Sequence, residues 1–184
     1  MLEIRHLTKQ YGEKTAVEDL TLTIRPGEIF GFIGPNGAGK TTTLKCCCGI
    51  LQPDRGEVRV YGERFALTEA LGQPISSYSH GMKQKLAILA ALLHAPKLIL
   101  MDEPFVGLDP LASHQLKQTM RAFCDAGGAI FFSTHVLEVA EKLCDQVAIL
   151  RQGRLVRAGS MAEVRGDASL EAVFLELEGV QDGH

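Results

Sequence analysis

EIFGFIGPNGAGKTT, residues 28–42, is the stretch that decides the fold of this 184-residue chain. A nearly all-apolar run over residues 28–33 predicts a buried strand, a glycine-rich loop follows, and a helix-compatible segment runs from Lys40 to about Leu51. Residues 34–41 match G-x-x-x-x-G-K-[ST] in the context that this pattern requires, after a strand and before a helix. The order predicts a phosphate-binding loop that opens a helix.

The residue types in this loop suit phosphate chemistry. Glycines let backbone N–H groups converge on phosphate oxygens, and the N-terminus of the following helix favours negative charge. Lys40 is expected to reach the β- and γ-phosphates, and the Thr41 hydroxyl to complete the coordination of Mg²⁺. The alternative is a turn that serves chain geometry only, which the Lys and Thr at these offsets disfavour. The nucleotide-binding residues expected in the loop are Gly34, Pro35, Asn36, Gly37, Ala38, Gly39, Lys40, Thr41 and Thr42.

A second candidate for the phosphate site is LILMDEP, residues 98–104. Four apolar residues predict a strand that crosses the core and delivers two carboxylates at its end, where α/β proteins bind ligands. Asp102 is suited to hold Mg²⁺, because hard cations take oxygen ligands. Glu103 is suited to act as a general base on the attacking water. Taken alone, the two acids could form a solvated turn. Together with the glycine loop, they predict a catalytic site at the carboxyl ends of the strands.

The pattern of apolar residues differs between the beginning of the chain and its later part. Residues 2–24 alternate with the two-residue period of strands, which predicts an antiparallel opening. The later apolar runs LILM (98–101) and AIFF (129–132) are typical of parallel strands covered on both faces. Helices are predicted over residues 81–94, 110–124 and 137–143, and strands over 58–61, 97–101, 129–133 and 146–150. An amphipathic tail is predicted over about 160–178. The fold class is therefore α/β, with a mainly parallel core sheet flanked by helices and an N-terminal antiparallel β-subdomain.

Composition narrows the class of protein. A chain of 184 residues, 46% hydrophobic and 22% charged, predicts a single domain over residues 1–184. Its net charge of −3 disfavours nucleic acid as a partner. We expect no membrane-crossing segment and no signal peptide, and hence a cytoplasmic protein. Five cysteines, three of them consecutive at 46–48, fit neither a disulfide framework nor a zinc site; buried thiols in a reducing compartment are expected.

Four further segments join the two motifs in a pattern that resembles the ATP-binding subunits of ABC transporters, a family of P-loop ATPases. Tyr11, 29 residues before Lys40, corresponds to the aromatic residue that stacks on adenine. Residues 78–82, YSHGM, are similar to the signature usually written LSGGQ, with Ser79 and Gly81 in the positions expected to contact the γ-phosphate. Residues 107–110, GLDP, match the D-loop, which contains Asp109, and residues 133–135, STH, match the switch segment.

The resemblance implies a specific biochemical role. It implies binding of ATP and Mg²⁺, ATP hydrolysis with Glu103 and His135 as catalytic residues, and metal ligation by Thr41 and Asp102. It also implies a head-to-tail homodimer or heterodimer that sandwiches ATP, and a membrane permease partner that holds the protein at the membrane from the cytoplasm. The signature variant is similar to that of exporter-type members with separate permeases. For His135 and Asp109 the alternative is a capping role at the next helix, and for Asp109 the two roles are compatible.

One interval departs from the family pattern. Only 39 residues separate Lys40 from Ser79, where family members have several tens more. The middle of the interval, with the Q-loop and most of a helical subdomain, is expected to be missing between about 64 and 71. Gln73 lies in the approach to the signature, so the Q-loop role is not carried over to it. The expected consequence is retained ATP binding, with hydrolysis and permease coupling weakened.

Two other functions remain alternatives. A non-catalytic nucleotide-binding remnant or regulatory subunit is favoured by the missing segment and disfavoured by the intact phosphate-site residues. A soluble ABC-type ATPase that acts on ribosomes or DNA ranks last, because such relatives generally carry two cassettes or long inserted arms.

Overall fold

The structure is a computed structural model that describes residues 1–60 and 96–179 with their side chains, except that of residue 178, and the backbone of residues 65–67. The helix predicted over residues 81–94, Gln73, and the signature residues Ser79 and Gly81 lie outside the described residues. In the described part, the predicted elements occur in the predicted order, with one further short strand over Phe65–Leu67.

Nine strands and five helices occur in the described ranges. The strands are β1 (Leu2–Tyr11), β2 (Lys14–Ile24), β3 (Ile29–Ile33), β4 (Arg55–Val60), β5 (Phe65–Leu67), β6 (Leu98–Asp102), β7 (Ala129–Thr134), β8 (Gln146–Arg151) and β9 (Arg154–Ser160). The helices are α1 (Lys40–Cys47), α2 (Pro110–Asp125), α3 (Leu137–Leu143), α4 (Met161–Arg165) and α5 (Leu170–Glu178).

The strands form two sheets. A three-stranded antiparallel sheet has the order β2-β1-β4. A six-stranded sheet has the order β5-β6-β7-β3-β8-β9, in which the first five strands run parallel and β9 pairs antiparallel with β8. This arrangement confirms the predicted fold class, a mainly parallel core sheet with an N-terminal antiparallel β-subdomain.

The six-stranded sheet is covered by apolar side chains on both faces. Phe30 and Phe32 of β3 pack in one cluster with α1 and the three-stranded sheet. Ile29 and Ile33 of the same strand pack in a second cluster with α2, α3, α4 and α5. Because neighbouring residues of a strand point to opposite faces, a continuous apolar run is required here. β3 therefore lies at the centre of the molecule and holds the loop that follows it in place.

Two element boundaries differ from the sequence predictions by three or more residues, and one short strand has no counterpart in the predictions. Helix α1 ends at Cys47, not near Leu51, because Gly49 takes a φ of +71° just beyond the C-cap. The strand predicted over 58–61 begins earlier, at Arg55, and pairs with β1. Strand β5 was not predicted; three residues are too few to produce a periodic signal.

The C-terminal segment and four of the cysteines contribute side chains to the core. The tail consists of two helices separated at Gly166, with Leu170 and Val173 buried against the core. Cys46 and Cys47 are buried on α1, as expected for small apolar residues. No helix among the described residues is both long enough and apolar enough to cross a membrane.

Candidate functional site

The glycine loop leaves the central strand β3 at its carboxyl end and leads directly into α1. β3 lies between β7 and β8 in the sheet, so the loop lies beside the ends of both. Gly39 is the N-cap of α1 with a φ of +104°, and a Cβ on it would lie 2.3 Å from the carbonyl oxygen of Ala16. Only glycine fits this position, because its backbone is left-handed and lies against Ala16 of β2. The loop is thus held close to β2.

Lys40, the first residue of α1, is turned back into the loop. Its side chain is only 6% exposed, and its Nζ donates hydrogen bonds to the carbonyl oxygens of Gly34 at 2.6 Å and Pro35 at 3.2 Å. The same Nζ lies 3.4 Å from Oε1 of Glu103. A buried ammonium group needs such partners, because burial of an unpaired charge costs several kcal/mol. The loop therefore carries a positive charge that is already oriented.

Asp102 ends β6 and joins this strand to both α1 and β7. The hydroxyl of Thr41 donates to Oδ2 of Asp102 at 2.7 Å. The hydroxyl of Ser133, opposite Asp102 in the β6–β7 register, donates to Oδ1. The two residues predicted to hold Mg²⁺ thus lie in direct contact, each offering an oxygen.

Glu103 follows in a backbone conformation that is rare for residues other than glycine, with a φ of +48°. Its N–H donates to Ser133, to the carbonyl oxygen at 3.2 Å and to Oγ at 3.1 Å. Its Oε2 lies 3.0 Å from Nδ1 of His135 and accepts from the backbone N–H of the same residue at 3.4 Å. Its Oε1 is buried, with Lys40 as its charged neighbour and no hydrogen-bond partner among the described residues. Glu103 therefore contacts both Lys40 at the end of the glycine loop and His135 of the switch segment.

Tyr11 lies at the mouth of a cavity of about 270 Å³ above the loop. Its side chain is 48% exposed and contributes to the cavity wall. The end of β1 carries it there, because β1 and β2 turn at residues 12–13. Loop and neighbouring residues complete the lining: Lys14, Ala16, Asn36, Gly37, Ala38, Gly39, Lys40, Thr41, Thr42 and Glu103.

Asp109 is the N-cap of α2, and its Oδ1 accepts from the N–H of Ala112 at 2.7 Å, with Pro110 in the first turn. The capping role left open for this residue is therefore present. His135 does not cap α3 with its side chain; Val136 holds the N-cap position, and the imidazole contacts Glu103.

The residue that sequence reasoning missed as a contributor to the site is Ser133. The sequence marks Ser133 only as part of the STH segment, yet its hydroxyl hydrogen-bonds the carboxylate of Asp102 and the backbone N–H of Glu103. No local signal in the sequence marks it, because only the pairing of β7 with β6 brings Ser133 beside Asp102.

Two protein-family models match parts of the chain, and the first of them covers the glycine loop. The model described as ABC transporter matches residues 17–70. A second model, described as an AAA domain, matches residues 57–141.

Individual relatives match over more of the chain. The ABC-type transporter ATP-binding protein EcsA of Bacillus subtilis is 30% identical over 244 residues, which cover 100% of this chain and 99% of that protein. The Nod factor export ATP-binding protein I of Paraburkholderia xenovorans is 32% identical, with 86% of this chain and 70% of that protein covered. A solved structure described as the ATP binding subunit of an ABC transporter superposes with a TM-score of 0.87 at 32% identity, covering 97% of this chain and 99% of that one.

Proposed function

The chain belongs to the family of ABC transporter ATP-binding subunits, and from this premise we propose that it binds ATP with Mg²⁺ and hydrolyses it to ADP and phosphate. The energy released drives transport through a separate membrane permease. The protein works in the cytoplasm, peripheral to the membrane through that permease.

The observation that carries this proposal is the convergence of five side chains on one edge of the sheet. Lys40 and Thr41 come from α1, Asp102 and Glu103 from the end of β6, and His135 from the segment after β7. The contacts among them are 3.4 Å or shorter. A phosphate group above the loop would meet a buried ammonium group, backbone N–H groups and two acids, the set that phosphoryl transfer requires.

Thr41 and Asp102 fit a magnesium ion by the chemistry of their donor atoms. A hydroxyl and a carboxylate oxygen, already 2.7 Å apart, are the hard oxygen ligands that Mg²⁺ prefers. When bound, the ion would neutralise charge on the phosphate oxygens. Asp102 is exposed at the end of its strand, so its carboxylate is accessible to an ion from solvent.

Glu103 and His135 suit the activation of water. Glu103 is proposed as the general base, and its contact with His135 Nδ1 at 3.0 Å orients the carboxylate. His135 is half exposed, at 47%, and faces the same edge, which suits a side chain that senses the γ-phosphate. Lys40 exchanges its present acceptors, two loop carbonyls and Glu103, for phosphate oxygens when nucleotide binds. That exchange releases Glu103 to act on water.

Tyr11 is proposed to stack on adenine, since its ring is exposed at the cavity that the loop lines. The loop residues from Gly34 to Thr42 are proposed to bind the phosphates.

The proposed assembly is a head-to-tail dimer, a homodimer or a heterodimer, in which the signature residues Ser79 and Gly81 meet the partner's ATP. Beside Asp109, the side chains of Val106 and Leu111 are 44% and 67% exposed, which suits a surface covered in an assembly. We further propose that the chain lacks the Q-loop and most of the helical subdomain between about 64 and 71. In support, the alignment with EcsA spans 244 residues against 184 in this chain, so about 60 residues of the relative have no counterpart.

A phosphate-release assay on the purified protein tests the proposed function. We expect Mg²⁺-dependent release of phosphate from ATP that Lys40→Ala abolishes, because this substitution removes the charge that faces the phosphates. Lys45→Ala, on the same helix but outside the cavity lining, is the matched control and should keep the parental rate.

The second candidate function is a non-catalytic nucleotide-binding or regulatory subunit, favoured by the same shortfall in the alignment. ATP binding without phosphate release by the parent protein would establish it. Release that depends on Lys40 would exclude it.

A further inference from the structure

We propose that Ser133 is a positioning residue that holds the metal ligand Asp102 and the general base Glu103 through one buried hydroxyl group. The inference rests on the proposed function, because it concerns how the two acids are held for ATP hydrolysis. Within the described residues, the Ser133 hydroxyl forms no hydrogen bond with the nucleotide loop or with the side chain of the proposed base.

Both hydrogen bonds of the Ser133 side chain are made by its hydroxyl oxygen. The hydroxyl donates its hydrogen to Oδ1 of Asp102, and its oxygen accepts from the backbone N–H of Glu103 at 3.1 Å. A serine hydroxyl has one donor and two acceptor positions, so it makes both bonds at once. Ser133 is 0% exposed, so water does not compete for either bond.

The bond to Asp102 fixes the rotation of its carboxylate. With Oδ1 held by Ser133, Oδ2 is the oxygen that lies 2.7 Å from the Thr41 hydroxyl. Without Ser133 only the hydrogen bond from Thr41 would restrain the last torsion of the carboxylate, which is broad for a terminal carboxylate. The pair of oxygens proposed for Mg²⁺ would then lose its fixed spacing.

The bond to the Glu103 amide restrains an unfavourable backbone conformation. A φ of +48° is costly for a glutamate and persists only where the surroundings impose it. Ser133 imposes it with two acceptors, its carbonyl oxygen at 3.2 Å and its hydroxyl oxygen at 3.1 Å. This turn directs the Glu103 side chain to Lys40 and His135. Among the described residues, Ser133 is the one side chain that bonds both the Asp102 carboxylate and the Glu103 backbone.

The test compares Ser133→Ala, which removes the hydroxyl, with Ser133→Thr, which keeps it, in the full chain. Ile130→Val is the matched control, because it shortens another buried side chain of β7. Ile130 packs in the cluster that contains α2, α3, α4 and α5. For each variant we measure thermal unfolding without nucleotide, the Mg²⁺ concentration that half-saturates binding of a fluorescent ATP analogue, and kcat and KM for ATP hydrolysis.

We expect Ser133→Ala to raise the half-saturating Mg²⁺ concentration and to lower kcat by about 10-fold to 100-fold, the range typical of residues that orient metal ligands. Ser133→Thr should recover most of both losses, and Ile130→Val should show neither. Parental Mg²⁺ dependence and kcat in Ser133→Ala would overturn the inference, as would equal losses in Ile130→Val or in Ser133→Thr. A parent protein that binds no ATP would instead refute the proposed function, and the inference with it.

Discussion

Glu103→Gln tests two properties of this carboxylate, its proposed role as general base and its contact with the charged Lys40. Glutamine keeps the size of the side chain and loses its negative charge and its ability to accept a proton. Loss of a general base typically lowers a rate by about 10²-fold to 10⁴-fold. Because the loop, Thr41 and Asp102 are unchanged, the variant should still bind ATP.

The stability effect follows from the distance between the two charges. At 3.4 Å and an effective dielectric constant of about 20, a unit ion pair is attractive by about 5 kcal/mol before desolvation is considered. Lys40 keeps its two carbonyl acceptors, and the Glu103 side chain is 24% exposed. The net cost in the nucleotide-free protein should therefore be roughly 1–3 kcal/mol.

Saturating ATP should shrink that cost, because the phosphates supply the negative charge that the variant lacks. The assays are phosphate release and urea unfolding with and without ATP. Hydrolysis at the parental rate would refute the general-base assignment. A stability loss that stays the same with ATP present would refute the exchange of partners at Lys40.

Three other predictions concern the loop, the cavity and the thiols. Gly39→Ala should destabilise the protein by at least ~2 kcal/mol in urea unfolding, because the added Cβ would lie 2.3 Å from a backbone oxygen. Gly37→Ala, with a φ of +81° and open space around it, should destabilise the protein by about 1 kcal/mol. Equal losses of stability would contradict the close approach of the loop to β2. Tyr11→Ala should weaken ATP binding about 3-fold to 10-fold, and Tyr11→Phe should leave it unchanged; a loss in both would exclude stacking. Four of the five thiols are buried, and burial raises the pKa of the Cys124 thiol to about 11, so in the native protein at pH 8 a thiol reagent should rapidly label only the partly buried Cys48. After unfolding it should label all five thiols, as counted by mass spectrometry.

The fold and the loop could be predicted from the sequence because both leave local signals. The apolar run before Gly34 and the Lys-Thr pair after Gly39 define strand, loop and helix within a few residues. Apolar residues after Gly49 suggested a longer α1, but the left-handed glycine ends the helix, and a glycine's φ is not readable from hydrophobicity. Strand β5 is defined only by its pairing with β6, a contact made across some thirty residues of chain.

Most members of the candidate site leave a signal in the sequence, but Ser133 and the contacts among the members do not. Asp102 and Glu103 stand out as acids at the end of an apolar strand, but the serine that holds them both lies 31 and 30 residues further along the chain. Only the register of β6 against β7, which pairs Asp102 with Ser133, brings them together. Register between parallel strands depends on packing over the whole sheet, so the sequence alone does not reveal this hydroxyl as part of the site.

Equilibrium binding of ATP in the presence of Mg²⁺, measured by titration calorimetry on the parent protein and on Lys40→Ala, tests the central claim most directly. In the proposed function, the glycine loop and its buried lysine form a nucleotide-binding site. We predict saturable binding of one ATP per chain, weakened at least 10-fold by Lys40→Ala. A parent protein that does not bind ATP, or a variant that binds it equally well, would contradict the account.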